Sequence, residues 1–151
     1  MKLNRREMLA LSGVAAALLA VGNPTFAIAK TEPTVEDQIQ AFTKGAEVKK
    51  GKITLSAPEI AENGNTVPVK VSVESPMTKE NYVAEVLILA NGNPNPGVAT
   101  FMFTPMSGVA EASTRIRLAK TQDVIAIAKM SDGSFFRDSK QVKVTIGGCG
   151  G

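Results

Sequence analysis

Histidine and tryptophan are absent from the 151 residues, tyrosine occurs once, and cysteine occurs once, at Cys149. Without histidine there is no Ser-His-Asp or Cys-His pair to raise the reactivity of a nucleophile. Neither a zinc set of Cys and His nor a pair of haem ligands can be assembled, so no cofactor and no metal is expected. No GxGxxG or GxxxxGK run stands between a strand and a helix, which excludes a phosphate cradle. The carboxylate pairs that remain, Glu59 with Glu62 and Glu36 with Asp37, fall in turn-like or helix-start sequence and read as solvated charge or as caps. The chain reads as a protein with no catalytic centre of its own.

The first thirty residues are set apart from the fold. A basic start, an apolar run rich in Ala, Leu and Gly from Met8 to Gly22, and "AIA" at Ala27 to Ala29 form the pattern of an export signal cleaved after Ala29. The run is too short for a membrane span of about 20 residues. Arg5 and Arg6 point to the twin-arginine route, with a general secretory signal as the alternative. Either route leads out of the cytoplasm. The expected organisation is a signal peptide over 1–29, a β-sandwich carrier domain with an N-terminal helix over 30–146, and a tail over 147–151.

Charge follows the same division. Loss of Lys2, Arg5, Arg6 and Glu7 takes 17 basic and 14 acidic residues to 14 and 13, so the net charge falls from +3 to +1. A nearly neutral surface gives no hold on nucleic acid or on an anionic membrane, and neither partner is expected.

In the mature chain, Thr34 and Asp37 form a helix start, Val35, Ile39 and Phe42 share one face, and Gly45 is a stop. The pattern then changes to period two. Val67, Val69, Val71 and Val73 alternate with Pro68, Lys70, Ser72 and Glu74; Ile116 and Leu118 alternate with Arg115 and Arg117; Val142, Val144 and Ile146 alternate with Gln141, Lys143 and Thr145. Each reads as a half-buried strand with the apolar set inward. "YVAEVLILAN" and "DVIAIAKM" are continuously apolar, as in strands covered on both faces. Turn signals recur at Asn63-Gly64, Asn91 to Gly97, Ser107-Gly108, Lys120-Thr121 and Asp132-Gly133. About seven strands and one helix predict an all-β chain, an immunoglobulin-like antiparallel β-sandwich with a short N-terminal helix. "VATFMFTPM" places Phe101 and Phe103 on one face and Met102 on the other with Met106 nearby, a candidate partner surface that ordinary core packing explains equally well.

The closing "VTIGGCGG" puts the one thiol between two pairs of glycines. Gly147, Gly148, Gly150 and Gly151 offer the widest choice of backbone conformation and no side chains, so they predict a flexible swinging arm able to thread a narrow channel. An exposed thiol in an oxidising compartment is open to mispairing. Two uses remain: covalent attachment of a small group at Cys149, or an intermolecular Cys149 disulfide that makes the chain a secreted structural subunit. Lys140 and Lys143 could favour a thiolate, or could be two solvated lysines on an outward face.

The tail "VKVTIGGCGG" at 142–151, with "APEIAENGNTVPVKVSVESPM" at 57–77 and "RIRLAKTQDVIAIAKMSDGSFF" at 115–136, closely resembles the SoxY family of sulfur carriers in periplasmic thiosulfate oxidation. The resemblance spans nearly all of the mature chain. It implies an immunoglobulin-like fold and a heterodimer with a SoxZ-like β-sandwich subunit. It also implies a carrier without its own catalysis: a SoxXA-like haem cytochrome joins thiosulfate to Cys149, a SoxB-like hydrolase releases sulfate, and a sulfur dehydrogenase oxidises what remains. Cys149 is then the attachment atom's residue, Gly147, Gly148, Gly150 and Gly151 the arm, and the sulfur adduct stands in place of a cofactor.

Overall fold

The structure is a computed structural model and describes residues 32–148. The predicted signal segment with Arg5 and Arg6, and Cys149, Gly150 and Gly151 at the other end, lie outside the described residues.

The described residues open with α1 (Val35–Thr43), started as its sequence predicts. Thr34 caps it: the Asp37 amide donates to Thr34 Oγ1 at 3.1 Å, and the Thr34 amide donates to Asp37 Oδ2 at 2.9 Å. These bonds, the one from the Thr34 backbone first, hold the Asp37 carboxyl below the usual carboxylate range. They also place a negative charge at the helix N-terminus, where the helix dipole favours it. Lys44 in the left-handed region, at φ 54°, followed by Gly45 at φ 79°, ends the helix.

Nine strands follow: β1 (Val48–Lys50), β2 (Ile53–Ser56), β3 (Ile60–Asn63), β4 (Val67–Val73), β5 (Val83–Ala90), β6 (Gly97–Met102), β7 (Ala110–Ile116), β8 (Gln122–Met130) and β9 (Phe135–Ile146), with a 3₁₀ turn at Pro105–Ser107 between β6 and β7. The larger sheet runs β1-β9-β8-β5-β6, with β3 also paired to β9, and the smaller runs β2-β4-β7.

The two layers follow from side-chain alternation. Val67, Val69, Val71 and Val73 on β4 are all buried, while Pro68 and Lys70 face solvent. Each valine removed from water contributes about 1.5–3 kcal/mol. Against them pack Val86 and Ile88 of β5, Val124 and Ala126 of β8, and Val142 of β9. The opposite face of the larger sheet presents Leu89, Ile125, Ile127 and Phe135 to Val35, Ile39 and Phe42 of α1. The Phe42 and Phe135 rings meet edge to face, with centroids 5.7 Å apart. β5 and β8 are therefore apolar without alternation because the smaller sheet covers one face and the helix the other.

The all-β sandwich with its N-terminal helix stands as predicted, with three differences. Nine strands replace about seven, since β1, β2 and β3 are only three or four residues long. Not every pair is antiparallel: β9 takes two short parallel partners on one edge, β1 from Val48↔Phe135 to Lys50↔Arg137 and β3 from Ile60↔Lys143 to Asn63↔Ile146. Finally, Ile146 is 69% exposed rather than inward. The pairing of β9 with β8 stops at Gln122↔Val142, so its last residues have β3 as a strand partner on one side and β8 no longer on the other. Thr121 prolongs the ladder by one step, accepting the Val144 amide on Oγ1 at 3.0 Å.

Candidate functional site at the root of the C-terminal tail

Three backbone segments, far apart in sequence, meet where β9 ends. The turn after β3 supplies Gly64, the connection from β7 to β8 supplies Leu118, and the tail supplies Gly147 and Gly148. The Gly64 amide donates to the Ile146 carbonyl at 2.7 Å, the Leu118 amide to the Gly64 carbonyl at 2.8 Å, and the Gly148 amide to the Leu118 carbonyl at 2.9 Å. Gly148 is buried and Gly147 exposed.

Close approach dictates the residue type here. A Cβ on Gly148 would lie 2.8 Å from the Gly64 carbonyl oxygen, and one on Gly64 would lie 2.7 Å from the Gly148 nitrogen and run into the Leu118 carbonyl. A Cβ on Gly147 would strike the carbonyl oxygen of Ala119. Gly147 and Gly148, predicted as the first half of a flexible arm, are thus required here for room rather than for freedom. The backbone does not leave the fold at Gly147: it is held through Gly148. Cys149, the next residue in the chain, and the arm glycines Gly150 and Gly151 lie outside the described residues.

The segment that receives Gly148 is itself fixed from below. Asn93, 7% exposed, donates from Nδ2 to the Arg117 carbonyl at 2.8 Å and accepts the Ala119 amide on Oδ1 at 3.0 Å. Gln122, 5% exposed, donates from Nε2 to Asn93 Oδ1 at 2.8 Å and to the Lys120 carbonyl at 3.1 Å, and its Oε1 accepts the Gly92 amide at 2.7 Å. Leu118 is fully buried in the core. Two buried amides and one leucine therefore lock residues 117–120 onto the sandwich. The sequence reading places Asn93 in a turn and gives Gln122 no role; the signal it lacked is that a polar residue between a turn and an apolar strand needs a partner when it is buried.

The other residues singled out by sequence lie along β3, β6 and β9 and the segments that flank them. Lys140 and Lys143 are exposed on β9. Glu59 and Glu62 flank and belong to β3, where their backbone carbonyls accept the Lys143 amide and Thr145 Oγ1, each at 2.9 Å. Phe101 and Phe103 pack against the core, whereas Met102 and Met106 are 81% and 97% exposed. Among the described residues no group of three His, Cys, Asp or Glu is placed to hold a metal ion, and no helix is long and apolar enough to cross a membrane.

Fold and site together define a β-sandwich protein whose last strand, pinned at its end by backbone contacts, leads straight into a glycine-flanked cysteine. The chain belongs to the SoxY family: the family model described as "Sulfur oxidation protein SoxY" matches residues 38–149, a span that ends on Cys149. Its structure is similar to that of the sulfur carrier protein SoxY from Chlorobium limicola f thiosulfatophilum, with a TM-score of 0.63 and 33% identity, covering 75% of this chain and 97% of that one. It also resembles the superoxide reductase (Neelaredoxin) of Ignicoccus hospitalis, with a TM-score of 0.56 and 18% identity over 78% of this chain and 98% of that one. The superoxide reductase of Nanoarchaeum equitans gives 0.51 and 12% over 63% and 99%. At such identities these two share the fold alone. The comparison with curated proteins returned no match.

Proposed function

We propose that this chain is a carrier of sulfur, which holds thiosulfate-derived intermediates covalently on Cys149 and presents them to separate enzymes of thiosulfate oxidation. The observation that carries this reading is the match to the SoxY family, which runs to the one cysteine in the sequence. The similarity to a sulfur carrier at 33% identity supports it.

The chemistry assigns the work to partners. A thiol with a pKa near 8.5 is only a few per cent thiolate at neutral pH, and the chain has no histidine to deprotonate it. In loading, the Cys149 thiol and thiosulfate form a new S–S bond, giving a cysteine S-thiosulfonate with release of one proton and two electrons; a SoxXA-like haem cytochrome accepts the electrons. Water then splits the terminal S–S bond. Sulfate and two protons leave, a SoxB-like hydrolase catalyses the step, and one sulfur stays on Cys149 as a persulfide anion for a sulfur dehydrogenase. The Cys149 sulfur itself is the attachment point, and no cofactor of the chain takes part.

The location follows from the same reading. The segment ending at Ala29 directs the protein to the periplasm, with Arg5 and Arg6 as the twin-arginine signal, and a SoxZ-like subunit without a signal of its own crosses with it as a folded heterodimer. Removing residues 1–29 should then leave both proteins in the cytoplasm.

Intact-mass measurement of the mature protein, after incubation with thiosulfate and the oxidising enzymes, tests the function. Small sulfur adducts that vanish in Cys149→Ser support it; a covalent dimer as the only modified species overturns it in favour of a structural disulfide.

A further inference from the structure

We propose that the backbone clasp between Gly64, Leu118 and Gly148 positions the carrier cysteine, with Gly64 as the positioning residue. This rests on the carrier role proposed for Cys149 and adds what sets the reach of its tether. Gly64 does not have the positive φ found at Gly45, Gly51, Gly108 and Gly133. An alanine is therefore acceptable to its backbone. What excludes a side chain is the pair of atoms above it, the Leu118 carbonyl oxygen and the Gly148 nitrogen, the two ends of the hydrogen bond that closes the clasp.

An alanine at 64 forces one of those two atoms to move, and the restraints on them are unequal. The Leu118 segment is fixed by the buried side chain of Leu118 and by the Asn93 and Gln122 amides. Gly148 has no side chain, and its amide makes the one backbone hydrogen bond to Leu118. The tail therefore yields. Once it does, the tether of Cys149 begins at Ile146 instead of Gly148, a gain of two residues, or about 7 Å of extended chain. A longer tether enlarges the volume through which the thiol moves and dilutes it at any given partner site. In the native protein the clasp acts in the opposite sense, presenting the carried group from a fixed point at the end of β9.

Because the chain has one cysteine, a nitroxide attached to Cys149 of the full mature protein reads the clasp directly. The native protein should give a motionally restricted spectrum and Gly64→Ala a mobile one. Amide hydrogen exchange should show the Gly148 amide protected in the native protein and exchanging at least about fivefold faster in the variant, as expected for loss of one buried hydrogen bond. Gly108→Ala is the control: it strains a positive φ with no atom near its Cβ and stands before the start of β7, at the opposite end of that strand from Leu118, so it should lower stability and leave the label restricted. If Gly64→Ala does not fold, exchange at Gly148 in the native protein still decides: an unprotected amide overturns the clasp. So does a label equally mobile in native and Gly64→Ala proteins.

Loading by the oxidising enzymes should show a several-fold rise in KM for the Gly64→Ala carrier with kcat retained. Unchanged loading despite a freed label overturns the positioning role. Failure of the native protein to load at all, with the label restricted, refutes the carrier reading and leaves the clasp standing.

Discussion

The Gly148 amide reaches the Leu118 carbonyl at 2.9 Å, so the last buried residue before the cysteine is tied to a loop thirty positions earlier in the chain. That loop is held in turn by Asn93 and Gln122. The tail thus has a rigid foundation built from the β5–β6 turn, the β7–β8 connection and the β3–β4 turn.

Asn93→Ala should destabilise the protein by about 2 kcal/mol. It removes the partners of the Arg117 carbonyl and the Ala119 amide and takes one of the two acceptors of the buried Gln122 Nε2. A lowered urea midpoint with an unchanged denaturant slope would show this; an unchanged midpoint would mean the network carries no net stability.

Leu118→Ala should cost more, about 2–5 kcal/mol, because the side chain is fully buried and its removal leaves a cavity. Gly148 exchange should also accelerate beyond what global destabilisation explains, since the same residue accepts the clasp bond.

Stability should fall as the solution is acidified. Asp37 is held below its usual pKa first by the Thr34 backbone bond, Glu111 by Lys70, and Asp132 by the Ser134 side chain. In each case the folded pKa lies below the unfolded one. The stability contributed is therefore complete above the ordinary carboxylate pKa of about 4 and is lost as pH falls through the depressed folded values. Urea midpoints measured downward from about pH 5 should decline, and Asp132→Asn should shrink the decline. A flat profile would remove these bonds from the account.

Much of the architecture was legible because it is local. Alternating valines on β4 declare a half-buried strand, the two-sided burial of β5 and β8 shows as continuous apolarity, and Thr34 with Asp37 announces the helix. β1, β2 and β3 were not legible, since three or four residues carry little periodicity and β1 and β3 depend on parallel pairing with a strand some eighty residues away. The outward turn of Ile146 was hidden for a related reason: alternation says which residues share a face, and only the pairing in the fold says that β8 ends before it. At the tail, the sequence pointed to Cys149 through its solitude and its glycines. It did not distinguish glycines chosen for freedom from glycines chosen for room, because Gly64, Leu118 and Gly148 become neighbours only in the folded chain.

The central claim is that the Cys149 sulfur carries the intermediate. Thiosulfate oxidation by the remaining enzymes, measured with the native mature protein and with Cys149→Ser in its place, tests it most directly. The account predicts oxidation with the native protein and none above background with the variant, whose fold is otherwise intact; full-rate oxidation with Cys149→Ser would contradict it.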